Sequence, residues 1–217
     1  SIHQFNPAMV AKKVISFISL LLFAFSAYAE QINFQVQLND KEIGFHEFNV
    51  QDDTINNKAQ FDVKLWFIPA YKYRHTATET YLDNCLVSLQ SETQDGADFF
   101  ELSSIRDSTY FKIKVNDKEY NHPVCSQTFR YWDIKFTDQS LAINPQDGEI
   151  FKLSFSADED EEVKTKTNSF LANKFTLRAV NDQDEKFHIE LWYEQTSKRW
   201  IKLKSYLKDD NVLTYIL

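Results

Sequence analysis

The sequence predicts a mainly β protein, folded as a single antiparallel sheet that curves into an open or half barrel, with one short helix near residues 126–136. Three observations support this fold class. Apolar and polar residues alternate along many short segments, turn-forming residues separate these segments, and no run of helical patterns lies between them. Aromatic residues make up 15% of the chain and are mostly Phe and Tyr, which favour strands.

The alternation starts soon after position 30. Ile32, Phe34, Val36 and Leu38 are apolar, and the residues between them are polar. The same pattern recurs at Phe61, Val63, Leu65 and Phe67, at Phe111, Ile113 and Val115, at Phe151, Leu153 and Phe155, and at Phe187, Ile189, Leu191 and Tyr193. Successive side chains of a strand point to opposite faces, so each segment has one buried and one wet face. Strands of this kind belong to antiparallel sheets.

Asn and Asp supply most of the predicted turns, because the chain has only three glycines. Pairs such as Asn39-Asp40 and Asp83-Asn84 separate consecutive strands and tolerate left-handed dihedral angles. The acidic run at residues 158–162 lacks the alternating acids and central glycine of a calcium loop. We therefore interpret it as a solvated loop.

Two segments depart from the alternation. The apolar phase slips by one residue between Phe45 and Phe48, which predicts a β-bulge at this place. Residues 126–136, with the sequence SQTFRYWDIKF, carry three aromatic residues at helical spacing, and Ser126 can act as the N-cap. This segment is the predicted helix.

Residues 9–29 have the organisation of a cleavable signal peptide. Met9, the only methionine, is followed by Lys12 and Lys13, by an apolar run at residues 14–25 and by small residues ending at Ala29. The apolar run is shorter than a bilayer requires, so no membrane span is expected after cleavage. This organisation predicts export to the periplasm.

Cleavage would leave residues 30–217, which suit a single β domain, and residues 1–8 are interpreted as upstream or expression-derived sequence. A buried apolar helix at residues 14–25 is the alternative. Without the two lysines of the leader, the formal net charge changes from −8 to −10. An acidic surface disfavours nucleic acid and anionic membranes as partners.

Cys85 and Cys125 are the only cysteines. In an oxidising compartment an even pair predicts a disulfide. Neither cysteine has the spacing of a zinc ligand, so no metal site is predicted. A catalytic thiol at Cys125, with His122 three residues before it, is the alternative.

Neither a cofactor nor a catalytic residue is predicted. Three glycines are too few for a nucleotide-binding loop, and no GxSxG motif is present. No pair among the four histidines after position 30 has metal-ligand spacing. These histidines are His46, His75, His122 and His188.

Seven aromatic or titratable residues are candidates for ligand binding. They are Tyr71, Tyr73, His75, Glu79, Tyr131, Trp132 and Trp192. The first four share one face if residues 71–79 form a strand, and a concave face of this composition could hold a polar group. The next two come from the predicted helix, and the last precedes a hairpin turn. The structural alternative is a cross-strand ladder, a helix that plugs the barrel, and packing of Trp192 against Trp200.

Three stretches, at residues 67–93, 128–149 and 190–205, resemble an uncharacterised family of bacterial exported proteins known only as a domain of unknown function. The most specific elements are residues 71–81 with Cys85, Tyr131-Trp132-Asp133, Leu191-Trp192-Tyr193 and Arg199-Trp200. More loosely, the chain is similar to periplasmic families built as an open barrel around a helix, some of which carry lipids. The resemblance implies location and architecture, and it implies no enzyme activity.

The leading hypothesis is therefore a periplasmic binding or carrier protein for an apolar small molecule or lipid. The second is an interaction module of the cell envelope, which would work through a sheet edge or exposed aromatic residues and bind another envelope protein. The third is a hydrolase or redox enzyme that uses His75 or Cys125.

Overall fold

The computed structural model describes residues 29–65 and 68–217, and in this part the chain is almost entirely β. The strands are β1 (Ala29–Leu38), β2 (Lys41–Gln51), β3 (Thr54–Leu65), β4 (Ile68–Leu82), β5 (Cys85–Asp95), β6 (Asp98–Arg106), β7 (Tyr110–Val115), β8 (Lys118–Pro123), β9 (Leu141–Ile143), β10 (Ile150–Ala157), β11 (Glu161–Lys164), β12 (Ser169–Val180), β13 (Lys186–Glu194), β14 (Trp200–Tyr206) and β15 (Val212–Ile216). The predicted signal peptide lies outside the described residues except for Ala29, and Phe67 of the predicted third strand also lies outside them. Within the described residues, no helix is long and apolar enough for a membrane crossing.

The fifteen strands of the described residues all belong to one antiparallel sheet. Strands β1 to β8 form a meander in chain order, and β15 returns to pair with β1, so that the second half of the chain extends the sheet in the other direction. The outermost strands of this path are β8 and β9, and β11 pairs separately with β12. The sheet is therefore not closed, which confirms the predicted open, antiparallel β architecture.

The inward faces of the strands form the core. A large cluster includes Phe34, Tyr193 and Trp200 from strands near the middle of the sheet, and a second cluster includes Leu89 and Ile113 from the β5–β7 meander. The alternation that the sequence shows is the cause, because every second side chain of each strand faces this interior. A disulfide joins Cys85 to Cys125, as predicted.

The predicted turns are present, but the bulge lies elsewhere. Asn39, Asp40, Asp83 and Asn84 have positive φ angles at the ends of their hairpins. In the pairing of β1 with β2, Val36 is opposite Gly44 and Gln37 is opposite Glu42, so Ile43 has no partner and forms the bulge. The predicted bulge between Phe45 and Phe48 is not present, because the register there is continuous. Phe45 and Phe48 are three residues apart in unbroken register, so they lie on opposite faces of β2, with Phe48 in the core and Phe45 beside Lys58 on the outer face.

Gly44 follows the bulge and approaches the neighbouring strand. A Cβ atom at this position would lie 1.8 Å from the carbonyl oxygen of Gln60 in β3. Only glycine fits such a close backbone approach.

The predicted helix at residues 126–136 is not formed as such. A 3-10 helix covers Ile134–Asp138, and Asp133 rather than Ser126 caps it by accepting a hydrogen bond from Lys135 N. The carbonyl oxygens of Ser126 and Gln127 accept hydrogen bonds from Leu86 N and Ile143 N, at 3.0 and 2.7 Å. Because these carbonyls are used by neighbouring strands, the first turn of an α-helix cannot form here.

Candidate functional site

The concave side of the sheet encloses a cavity of about 240 Å³, which we call the inner cavity. Strands β2, β3 and β4 form part of its wall with His46, Asn57, His75 and Glu79. His46 and His75 both pair with Ala59 of the intervening strand, one on each side. The small side chain of Ala59 leaves the two rings facing the same space.

Both histidines are neutral at physiological pH. His75 Nδ1 lies 2.7 Å from Thr93 Oγ1, and His46 Nδ1 lies 3.2 Å from Tyr215 Oη. Burial lowers the pKa of His75 from 6.5 to about 4. Burial, and then repulsion from His75, lower the pKa of His46 to about 3, although the Asn57 side chain opposes this.

Glu79 is at the centre of a buried hydrogen-bond network. Its Oε2 atom accepts hydrogen bonds from Tyr81 Oη at 2.8 Å and from Thr128 Oγ1 at 2.7 Å. The Arg130 guanidinium stacks on the Tyr81 ring, 4.1 Å from its centroid. Burial raises the pKa of Glu79, while the two hydroxyl donors and the Arg130 charge lower it. The network attaches β4 to the irregular segment that follows the disulfide.

A second polar network closes one side of the inner cavity. Tyr73 Oη donates to Gln146 Oε1 at 3.0 Å, and Gln146 Nε2 donates to Asp95 Oδ2 at 3.0 Å. Tyr71 Oη donates to the other oxygen of the same carboxylate. Asp95 is thereby linked to Tyr71 directly and to Tyr73 through Gln146.

A second cavity, of about 470 Å³, adjoins the first, and we call it the outer cavity. The two cavities share four lining residues, which are His46, Tyr73, Leu213 and Tyr215. The remaining lining of the outer cavity is mostly apolar. It consists of Leu38, Ile43, Phe61, Val63, Tyr71, Leu207 and Asn211. The site is thus an inner cavity whose mostly apolar lining includes several polar side chains, beside an apolar outer cavity.

Tyr131 and Trp132 line the inner cavity from the segment between β8 and β9. The Tyr131 ring packs 5.6 Å from Trp200, and Trp132 packs 5.6 Å from Phe48, measured between ring centroids. The Tyr131 carbonyl oxygen accepts a hydrogen bond from Tyr193 Oη at 2.9 Å. These contacts fix the segment against the sheet although it is not a helix.

Trp192 does not join the other candidates. It lies on the opposite face of the sheet in a small cluster with Val163 and Ile201, and its Nε1 atom donates to Glu161. Glu161 and Glu162 of the acidic run belong to β11, so this part of the run is a strand and not the predicted loop. Trp200 faces the main core, so the predicted packing of the two tryptophans across their hairpin is not made. A register shift between Trp192 and Tyr193 lies beside this turn.

The structure therefore brings Tyr73, His75, Glu79, Tyr131 and Trp132 to the inner cavity and places Tyr71 at the outer one. Sequence analysis missed four important lining residues, which are His46, Asn57, Gln146 and Tyr215. For Asn57 a signal was present. It is a polar residue in phase with Ile55, Ala59 and Phe61 on the apolar side of its strand. A polar side chain at a buried position is unusual, and it can indicate a hydrogen-bond network or a binding site.

The fold and the site define an open, barrel-like antiparallel β protein with a cavity on its concave side. Residues 34–217 match the model of a family described as Domain of unknown function (DUF6134), and the chain belongs to this family. This agrees with the resemblance to an uncharacterised family found in the sequence. No curated protein matches the chain.

The chain is similar in fold to a solved structure, described as a beta-barrel-like protein of domain of unknown function DUF1849 from Brucella abortus. The TM-score is 0.62 with 8% sequence identity, and the match covers 87% of this chain and 95% of that chain. At this identity the similarity concerns the fold alone.

Proposed function

We propose that the protein is a periplasmic binding or carrier protein that holds an apolar, lipid-like ligand on the concave side of its sheet. The observation that carries the proposal is the pair of adjoining cavities. The outer cavity has the size of a small-molecule site, which is typically about 300–1,000 Å³, and an apolar lining. The inner cavity adds a few fixed polar groups, which is the usual composition of a ligand site.

The periplasmic location is supported by two features. A disulfide between Cys85 and Cys125 is typical of oxidising compartments. The signal-peptide organisation of residues 9–29 points to the same compartment.

Native mass spectrometry of protein purified from the periplasm, followed by organic extraction, tests this proposal. We expect a discrete additional mass of lipid size. Leu213 lines both cavities, so Leu213→Trp fills their shared boundary and is expected to reduce the bound fraction. Leu171→Trp is the matched control, because Leu171 is 53% exposed and lines neither cavity.

A bare polypeptide mass, together with no binding of added amphiphiles, would contradict the carrier proposal. The alternative is then an envelope interaction module without enzymatic activity. Its best-supported surface is the outer face of β6, where Phe99 and Ile105 are 55% and 68% exposed.

A further inference from the structure

The polar side chains that line the outer cavity already bond to other groups of the protein. Within the described lining these side chains are His46, Tyr71, Tyr73, Asn211 and Tyr215. His46 Nδ1 lies 3.2 Å from Tyr215 Oη, and the other ring nitrogen of His46 is buried away from the cavity surface. Asn211 Oδ1 accepts a hydrogen bond from Asn39 Nδ2 at 2.7 Å, and Asn211 Nδ2 donates to the Lys208 carbonyl oxygen at 3.1 Å.

The two tyrosines that point into neither of these contacts are engaged as well. Tyr71 Oη donates to the Asp95 carboxylate, and Tyr73 Oη donates to Gln146 Oε1 at 3.0 Å. A polar group of a ligand would therefore have to compete with bonds that the protein already makes. An apolar chain leaves all of these bonds intact.

The outer cavity also lacks a charge that could hold an ion. None of the described residues that line it is Lys, Arg, Asp or Glu, and the one histidine is neutral because burial lowers its pKa to about 3. An ionised head group in this cavity would lose its hydration without gaining a counter-charge. An apolar chain, in contrast, gains from leaving water, so the outer cavity suits a chain and not a head group.

The inner cavity is no better a place for a head group. Glu79 is the only Lys, Arg, Asp or Glu among the described residues of its lining. Its carboxylate already accepts hydrogen bonds from Tyr81 and Thr128, and His75 lies 2.7 Å from Thr93 Oγ1. These polar groups hold the wall of the cavity together, and they leave no free counter-charge for an ion.

The outer cavity reaches the surface at a rim where a head group can stay in water. Tyr71 and Leu207 belong to its lining, and they are 39% and 46% exposed. Leu207 is followed directly by three exposed charged residues of both signs, Lys208, Asp209 and Asp210. Exposed charges of mixed sign favour neither an anion nor a cation strongly.

From these features we infer that the outer cavity holds the hydrocarbon chain of a single-chain amphiphile, whose head group stays in water at the rim beside Leu207. The protein then selects its ligand by the length of the chain and accepts head groups of either charge. This inference rests on the proposed carrier function and specifies the class of ligand and its orientation.

The first test varies the chain and the head group separately. Protein purified from the periplasm and freed of bound lipid is titrated at pH 7.5 by isothermal calorimetry, below the micelle concentration of each ligand. In the series octanoate, decanoate and dodecanoate, each step of two methylenes should tighten binding at least about tenfold. Decanoate, decylamine and monodecanoylglycerol should agree within about fivefold, because their head groups remain hydrated.

The second test places charges at the rim. Leu207→Lys should raise the ratio of decanoate affinity to decylamine affinity about fivefold, and Leu207→Glu should lower it about fivefold, because an exposed charge acts modestly on a neighbouring head group. The ratio removes the apolar contact that both substitutions lose. Leu171→Lys and Leu171→Glu are the matched controls, because Leu171 is 53% exposed and lines neither cavity.

The outcomes separate this inference from the carrier function. If binding is found but does not strengthen with chain length, or if the three ten-carbon ligands differ by more than the expected range, the inference is wrong and the carrier function stands. The same holds if the Leu207 substitutions change the affinity ratio no more than the Leu171 substitutions do. If none of the ligands binds, the carrier function itself fails, and the inference fails with it.

Discussion

Glu79 shows how one residue can serve the site and the stability of the fold together. The sequence offered two interpretations of its segment, a polar site or a structural ladder on a solvated sheet, and the burial of Glu79 does not fit a solvated ladder. Its carboxylate faces the inner cavity, and the same group holds Tyr81 and Thr128 through hydrogen bonds. Because Glu79 is only 1% exposed, every partner would lose a buried bond if the carboxylate were removed.

We therefore predict that Glu79→Ala lowers the free energy of unfolding by about 3 kcal/mol, since it removes the acceptor of two buried hydroxyl donors and leaves a cavity in its place. Glu79→Gln keeps the shape and is expected to cost about 1 kcal/mol. Urea denaturation at pH 7 measures both values. Glu92→Ala, on the exposed face of β5, is the control and should change stability little. A loss for Glu79→Ala no greater than the control would show that the network contributes nothing.

At the scale of elements, the disulfide fastens the segment that contributes Tyr131 and Trp132 to the lining of the inner cavity. Cys125 precedes Tyr131 and Trp132 by only a few residues, and Cys85 begins β5. A backbone hydrogen bond from Leu86 N to the Ser126 carbonyl oxygen, 3.0 Å long, joins the same two segments beside the disulfide. The cross-link and this bond together hold the irregular segment against the sheet.

The sequence separation of the two cysteines is 40 residues, and closing a loop of this length removes about 4 kcal/mol of chain entropy from the unfolded state. We predict that Cys85→Ser with Cys125→Ser lowers the unfolding free energy by about this amount and raises the denaturant slope m, because the unfolded chain expands. The measurement is urea denaturation with and without reductant. Reductant should bring the unmodified protein to the variant's midpoint and leave the variant unaffected. Equal midpoints without reductant would refute the prediction.

The secondary structure was predictable where neighbouring residues determine it, and it was not predictable where contacts between distant segments determine it. The alternation around Phe34 and around Ile113 specifies strands by itself, and Asn39-Asp40 specifies a turn by its dihedral preference. The segment at residues 126–136 has helical spacing, yet its carbonyl groups bond to strands that are far away in the sequence. Neither that competition nor the meeting of His46 with His75 across β3 is visible in a linear pattern. Most of the sheet, and only part of the site, could therefore be predicted.

For the molecule as a whole, buried titratable groups change the free energy of unfolding in opposite directions as the pH falls below 7. Burial lowers the pKa of His46 to about 3 and of His75 to about 4, from 6.5 in each case. As pH falls below 6.5, the unfolded chain takes up protons that the folded chain does not, so these histidines reduce stability. Burial raises the pKa of Asp147 from 3.8 to about 6, and this group acts with the opposite sign. As pH falls from 6 to 4, the folded chain takes up the proton first and gains stability.

We predict that these contributions can be separated by single substitutions. Relative to His75→Gln, the unmodified protein should lose about 2 kcal/mol of unfolding free energy between pH 7.5 and pH 5, because one and a half pKa units of proton uptake then favour the unfolded state. Relative to Asp147→Asn, it should instead gain stability between pH 6 and pH 4. The measurement is urea denaturation at each pH, with the difference between proteins as the readout, so that constant effects of each substitution cancel. A difference that stays constant with pH for His75→Gln would show that the ring takes up a proton in the folded protein as easily as in the unfolded chain. His75 would then be accessible to water in the folded protein, and its assignment as a neutral, buried ring of the inner cavity would be wrong.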